Sequence, residues 1–401
     1  MIPVEHHRAA LVPAEEIARR ITGFQRRLQG AAIDVAWIDH LTDRLYLSGS
    51  AQSGVLLVPA SGPPVFHVRK SHARATAEAR VAVRPYAGRA ELFAALGGLA
   101  RGEGRVGLAL DVTPAATLLA ITERTGLAVA DVTAPIRLER ARKSPWELEQ
   151  LAGAARQITT LLDGIADAIR PGVSELALTG TVEGRLRAAG HGGTVRVRRP
   201  GTDIAIATVV SGTSAFYPTA FDGPVGAPGP TPPTPAGGGF KPLVAGETVM
   251  LDVVSSYNGY HVDTTRCFFL GRNPPDVVLR AHDRCRELLR RVVAALRPGA
   301  RCDAIYREAT AWAAAAGEPP GFMGYGENRV RFLGHGVGLE LDELPVLADK
   351  IETRLEPGMV VAVEPKAFVE PYGPVGVENT YVVTDGEARN LCPLADDLIA
   401  L

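Results

Sequence analysis

The chain has 401 residues, enough to bury a substantial core and to form two or three domains. Apolar residues make up 46% and charged residues 22%, the balance of a globular protein in water, and a formal net charge of −1 gives no general attraction to nucleic acid or an anionic membrane. No stretch approaches transmembrane length, the first residues lack the apolar core of a signal peptide, and Cys267, Cys285, Cys302 and Cys392 show no CxxC spacing. The expectation is a cytoplasmic protein with reduced thiols and neither nucleic acid nor membrane as partner.

In chain order, Ile17, Ile21, Phe24 and Leu28 recur at helical spacing and predict an amphipathic helix over 14–29. Short β-forming runs follow at 35–38, 55–59, 65–68, 81–85 and 106–110, with helical patterns at 71–79 and 90–99. This alternation predicts an α/β domain over about the first 140 residues. The boundary is marked by Lys143-Ser144-Pro145-Trp146-Glu147, with Ser at the N-cap, Pro at the first helical position and Glu three residues after the cap. The helix it opens is expected to run to about residue 170, and a second to cover 175–189. Residues 222–239, DGPVGAPGPTPPTPAGGG, exclude helix and central strand and read as either a flexible surface insertion or an ordered loop that covers a site. Helices are expected near 276–296 and 302–316, and glycine-punctuated β structure thereafter.

The most informative stretch is 249–269, VMLDVVSSYNGYHVDTTRCFF. Asn258-Gly259 between β-formers signals a hairpin with a type I′ turn. With that turn, Val254 faces Asp263, and Asp252 becomes a diagonal neighbour of Asp263 on one face, roughly 7–8 Å away. Two acids inside apolar strands repel and desolvate badly unless a cation joins them. A pair of divalent ions about 3.5–4 Å apart fits that gap. The plainer alternative is one buried acid and one facing solvent.

Three later segments add to the set: Gly334-His335-Gly336, in which the glycines permit close approach of backbone or ligand; VVAVEP, in which Glu364 closes an apolar strand; and VGVENTYVV, with Glu378 inside another. Each alone has an ordinary structural reading. Together Asp252, Asp263, His335, Glu364 and Glu378 supply four carboxylates and one imidazole, a donor set suited to Mn, Fe, Co or Zn.

The order of these segments, Asp and eleven positions later Asp in DTTR, then GHGVGLE, EP and GVENT, resembles the creatinase/aminopeptidase P/methionine aminopeptidase family of pita-bread metallohydrolases, and the likeness spans the chain. It implies a creatinase-like N-terminal α/β domain over 1–143 and a pita-bread catalytic domain over 144–401. It implies two divalent metal ions, manganese first, held by Asp252, Asp263, His335, Glu364 and Glu378, with Asp263 and Glu378 bridging and Glu364 also holding the nucleophilic water. The implied activity is that of an Xaa-Pro aminopeptidase or dipeptidase acting on small peptides, in a homodimer. Arg266 is expected to orient a ligand carboxylate, and Tyr260 to pack across the hairpin.

Two departures bear on the substrate. Peptidases of this family usually carry a histidine where this chain has Thr219, and another where it has Asp342. Neither replacement imitates a neutral imidazole donor. His261 shares the strand face of Asp263 and is the candidate to stand in, with Asp342 and Glu364, among the catalytic residues. The altered positions leave open a C–N hydrolase or lyase acting on a small non-peptide metabolite, with Asp342 and Glu343 suited to hold a cationic one. They also leave open a binding or scaffold protein that has lost catalysis.

Overall fold

The computed structural model describes residues 11–100, 104–317 and 321–401, so the first ten residues of the N-terminal reading lie outside it. The chain divides into two units, the break falling between Arg140 and Ala141. The first carries a six-stranded sheet of β1 (Val35–Ile38), β2 (Gly54–Pro59), β3 (Val65–Val68), β4 (Ala82–Pro85), β5 (Arg105–Leu108) and β6 (Ala128–Asp131), in the order β4-β3-β2-β1-β5-β6. Helices α1 (Ala14–Gly30), α2 (Leu41–Ser48), α3 (His72–Glu78), α4 (Arg89–Leu99), α5 (Ala115–Thr125) and α6 (Thr133–Ala141) complete it. The α/β expectation holds. Strand β6 and helices α2, α5 and α6 were not legible, because their short apolar patterns are decided by packing on the sheet rather than by period.

The second unit opens with α7 (Pro145–Leu162), and its capping box is formed. The Glu147 amide donates to Ser144 Oγ at 3.1 Å, and the Ser144 amide donates to Glu147 Oε2 at 2.9 Å. The helix stops eight residues short of the expected 170: Asp163 turns extended and Gly164 takes a positive φ of 66°, leaving only a 3-10 turn beyond. Helix α8 (Glu175–Ala188) follows, then β7 (Ala207–Ser211).

The hairpin forms in the expected register. Strand β8 (Thr248–Tyr257) pairs with β9 (Tyr260–Phe269), placing Val254 opposite Asp263, and Asn258 and Gly259 have φ of 48° and 83°. Helix α7 lies on it. The Tyr260 hydroxyl donates to Glu147 Oε1 at 3.0 Å, Ser255 Oγ donates to Ala154 O at 2.9 Å, and a Cβ at Gly153 would come within 2.4 Å of the Tyr257 ring. Tyr260, expected only to pack, therefore joins the hairpin to the carboxylate that caps the helix.

Helices α9 (Asp276–Ala295) and α10 (Cys302–Ala315) match their predicted spans. They pack on a sheet built from β10 (Phe332–Gly336), β11 (Glu343–Ala348), β12 (Val360–Val363) and β15 (Asn379–Val382), through a core that includes Leu288, Val292, Ile305, Val361, Val363 and Val377. Strands β13 (Lys366–Val369) and β14 (Gly373–Gly376) form a separate hairpin. The Gly/Pro stretch is packed: Val225 and Ala227 are buried with Val210, Met250, Cys267 and Phe368, and the Gly239 amide donates to the buried Glu175 carboxylate at 3.2 Å. It is packed against the second unit's core and is not a flexible insertion.

Replacing the capping hydroxyl tests the start of the second unit. Ser144→Ala is expected to lower stability in urea denaturation by about 1 kcal/mol. An unchanged midpoint would mean that the cap is redundant with the Glu147–Tyr260 contact.

Candidate metal centre

Two strands from different sheets bring the acids together. Thr265 on β9 and Glu378, just before β15, exchange main-chain hydrogen bonds at 3.3 and 3.4 Å, and Thr265 Oγ1 also donates to Glu378 Oε2 at 2.9 Å. The Asp263 amide donates to Thr380 Oγ1, and that hydroxyl donates back to Asp263 O at 2.9 Å. This lacing places the Asp263 and Glu378 side chains next to each other from the sides of two different sheets. Arg266 reinforces it, though not as expected: its guanidinium donates to the main-chain carbonyl of Glu378 at 3.0 Å and to Asn379 Oδ1 at 2.8 Å, and so positions Glu378 through its backbone.

His335 enters from β10, which runs between β11 and β12. A Cβ at Gly334 would lie 2.3 Å from Ala362 O, and one at Gly336 2.3 Å from Leu344 O. The flanking glycines thus let neighbouring backbones close on the histidine. Its Nδ1 lies 3.1 Å from both Gly336 O and Leu341 O, so Nδ1 carries the proton and the Nε2 lone pair faces the acids. Nε2 is 3.6 Å from Glu364 Oε1 and 3.9 Å from Asp263 Oδ2.

Asp263, His335 and Glu378 offer donor atoms that all lie within 4.8 Å of one another. Asp263 Oδ1 and Glu378 Oε1 are buried with no hydrogen-bond partner among the described residues, a costly state for carboxylate oxygens that a cation would relieve. The donor set, nitrogen and oxygen together, fits a borderline divalent ion. Burial, then the crowding of Glu378 and Asp252, pushes the Asp263 carboxyl well above its usual range. Burial likewise carries Glu378 up to about 7, against the opposing pull of Lys366. Burial lowers His335, but Glu364, Asp342 and Glu378 raise it by more, for a net increase.

The fifth expected ligand, Asp252, meets a different partner. Lys366 Nζ sits 2.9 Å from Asp252 Oδ2, 2.8 Å from Glu364 Oε2 and 2.9 Å from Glu378 Oε2. Its side chain is 1% exposed, and the three carboxylates outweigh burial and hold its pKa well above the ordinary lysine value. Sequence reasoning missed this residue. The available signal was a lysine in the run VVAVEPKAFV, whose only other charged residue is Glu364, since lysine is rarely buried without a charged partner.

The other candidates fall outside this cluster. His261 is fully buried, with Nδ1 2.9 Å from Gly338 O and Nε2 accepting from the Arg196 amide at 3.2 Å. Both ring nitrogens are occupied by main chain, so it does not stand in for a substrate-facing histidine. Burial, partly offset by the Gly338 carbonyl, pushes its pKa down to about 4. Thr219 donates to Pro235 O at 2.9 Å, within the Gly/Pro loop. Asp342 is exposed, and its charge reaches His335. Glu343, expected to help hold a cationic substrate, is instead buried with its Oε2 2.7 Å from Lys143 Nζ.

Residues 149–385 match metallopeptidase family M24, and residues 20–142 match the creatinase/prolidase N-terminal domain. The Xaa-Pro dipeptidase of Pyrococcus furiosus is 32% identical over 162 residues, 40% of this chain and 43% of that protein. An uncharacterized peptidase of Bacillus subtilis is 28% identical over 265 residues, 65% of each chain. The matched segments thus span 43% and 65% of these relatives' lengths. Among solved structures, an Xaa-Pro dipeptidase from Bacillus anthracis superposes with a TM-score of 0.80 at 23% identity, covering 96% of this chain and 100% of the other. The prolidase from Pyrococcus horikoshii does so with 0.78 at 22%, covering 95% and 100%. These likenesses establish the fold, a creatinase-like first part followed by a pita-bread second part.

The depressed pKa of His261 has a signed consequence. A histidine held neutral in the folded chain contributes fully above its unfolded pKa of 6.5 and loses that contribution as pH falls toward 4. The stability difference between the wild type and His261→Asn is therefore expected to shrink by about 3 kcal/mol from pH 6.5 to pH 4 in urea titrations without added metal. A difference that stays constant across that range would show that the ring is not held neutral.

Proposed function

The chain belongs to metallopeptidase family M24, and on that premise we propose that it is a metal-dependent hydrolase that cleaves short peptides before proline. The observation that carries this reading is the convergence of Asp263, His335 and Glu378 donor atoms within 4.8 Å, with two of the carboxylate oxygens unpartnered. These three residues would hold the ion, and Glu364 Oε1 adjoins them. A divalent ion there would polarise the scissile carbonyl and bring the pKa of a water near neutrality.

The protein's own residues supply the rest. The His335 Nδ1–H bond to the main chain keeps Nε2 pointed into the site. Glu364 has one oxygen on Lys366 and the other turned toward His335, and that second oxygen is the group placed to take a proton from the attacking water. Returned to the departing proline nitrogen, the same proton completes hydrolysis to an acid and a free secondary amine. The expectation of two metals meets Lys366, which stands in one half of the acidic cluster. Manganese as the ion, a homodimer and a cytoplasmic location belong to the same proposal by resemblance alone.

A second reading keeps the hydrolytic site and changes the substrate. Asp342, exposed where related peptidases carry histidine, favours a small cationic compound over a neutral peptide.

Turnover of Xaa-Pro dipeptides and tripeptides by the manganese-loaded protein decides between them. Chelation, or Asp263→Ala, is expected to lower kcat/KM by at least roughly a hundredfold, the loss of several kcal/mol of charge stabilisation. No Xaa-Pro turnover by protein shown to contain metal would transfer the weight to a non-peptide substrate.

A further inference from the structure

Lys366 is placed where a cation belongs. We propose that its ammonium permanently occupies one of the two cation positions of the acidic cluster, so that the chain takes a single divalent ion at Asp263, His335 and Glu378. This deepens the metal-hydrolase reading and rests on it.

The ammonium has three N–H donors and three carboxylate oxygens at 2.8–2.9 Å, from β8, the end of β12 and the start of β15. Its hydrogen-bonding capacity is filled. A metal ion at the same point would need Asp252 Oδ2, Glu364 Oε2 and Glu378 Oε2 as ligands at about 2.0–2.2 Å, which leaves no room for the ammonium between them.

The lysine has no easy way out. Its side chain is buried, and the Met323 amide donates to its carbonyl at 2.8 Å. On β14, directly across the pair, stands Gly376, where a Cβ would come within 2.8 Å of Lys366 Cα and 2.9 Å of Cγ. The stem of Lys366 thus runs over a position kept free of any side chain.

What remains is one donor set. Asp263 Oδ1 and Glu378 Oε1 are the carboxylate oxygens of the cluster that stay buried and unpartnered among the described residues. His335 Nε2 lies 3.9 Å from Asp263 Oδ2 and 3.6 Å from Glu364 Oε1, and donor atoms of Asp263, His335 and Glu378 all lie within 4.8 Å of one another. Glu378 spans both halves, with Oε2 on the ammonium and Oε1 toward the ion. Asp252 then serves the lysine and not the metal, although its place in the hairpin reads as that of a ligand.

Metal content of the full-length protein tests this. After chelation and reloading with manganese, the wild type is expected to retain about one ion per chain by elemental analysis, and Lys366→Ala about two. Asp252→Asn is expected to keep the ion, and Asp263→Asn to lose it. If Lys366→Ala does not fold, calorimetric titration of the wild type and of Asp252→Asn with manganese gives the same decision. Two ions in the wild type, loss of binding in Asp252→Asn, or a second ion failing to appear in folded Lys366→Ala overturns the proposal. An absence of metal from every form overturns the hydrolase reading along with it. One ion without Xaa-Pro turnover supports the proposal and removes only the substrate assignment.

Discussion

Four carboxylates gathered inside an apolar shell repel one another and give up hydration, and the arrangement stands only if positive charge is placed among them. In this chain part of that charge is covalent. Lys366 joins Asp252, Glu364 and Glu378, while Asp263 Oδ1 and Glu378 Oε1 are buried with no hydrogen-bond partner among the described residues. The site depends on how the strands deliver these groups to one place.

That delivery depends on short-range lacing between two sheets. The bonds exchanged by Thr265 with Glu378, and by Thr380 with Asp263, fix the acids from different strands in relation to each other. Arg266 locks the Glu378 main chain, and glycines on both sides of His335 admit neighbouring carbonyls to within reach. The two positions that depart from the family pattern lie outside this lacing. Thr219 is bound into the Gly/Pro loop, and Asp342 is exposed.

A lysine inside such a cluster also changes what an acid in the motif means. A carboxylate salt-bridged to a buried ammonium and one bound to a metal occupy the same strand position and have the same parity. They differ in which cation stands against them, and for Asp252 that cation is contributed by another strand. The same limit applies to Glu343, which reads as a candidate for a cationic substrate and is in fact the partner of Lys143.

The sequence by itself determined the α/β class, the hairpin turn at Asn258-Gly259, the capping box at Ser144 and the candidate donors Asp252, Asp263, His335, Glu364 and Glu378, because turn chemistry, capping and strand parity are local. It did not determine where α7 ends, that both His261 ring nitrogens serve the main chain, or that Arg266 holds a backbone carbonyl. Only the tertiary structure put Lys366 among the acids. Its neighbours Asp252 and Glu378 are 114 and 12 residues away in the chain, and no local pattern records which charges the packing of separate strands will bring together.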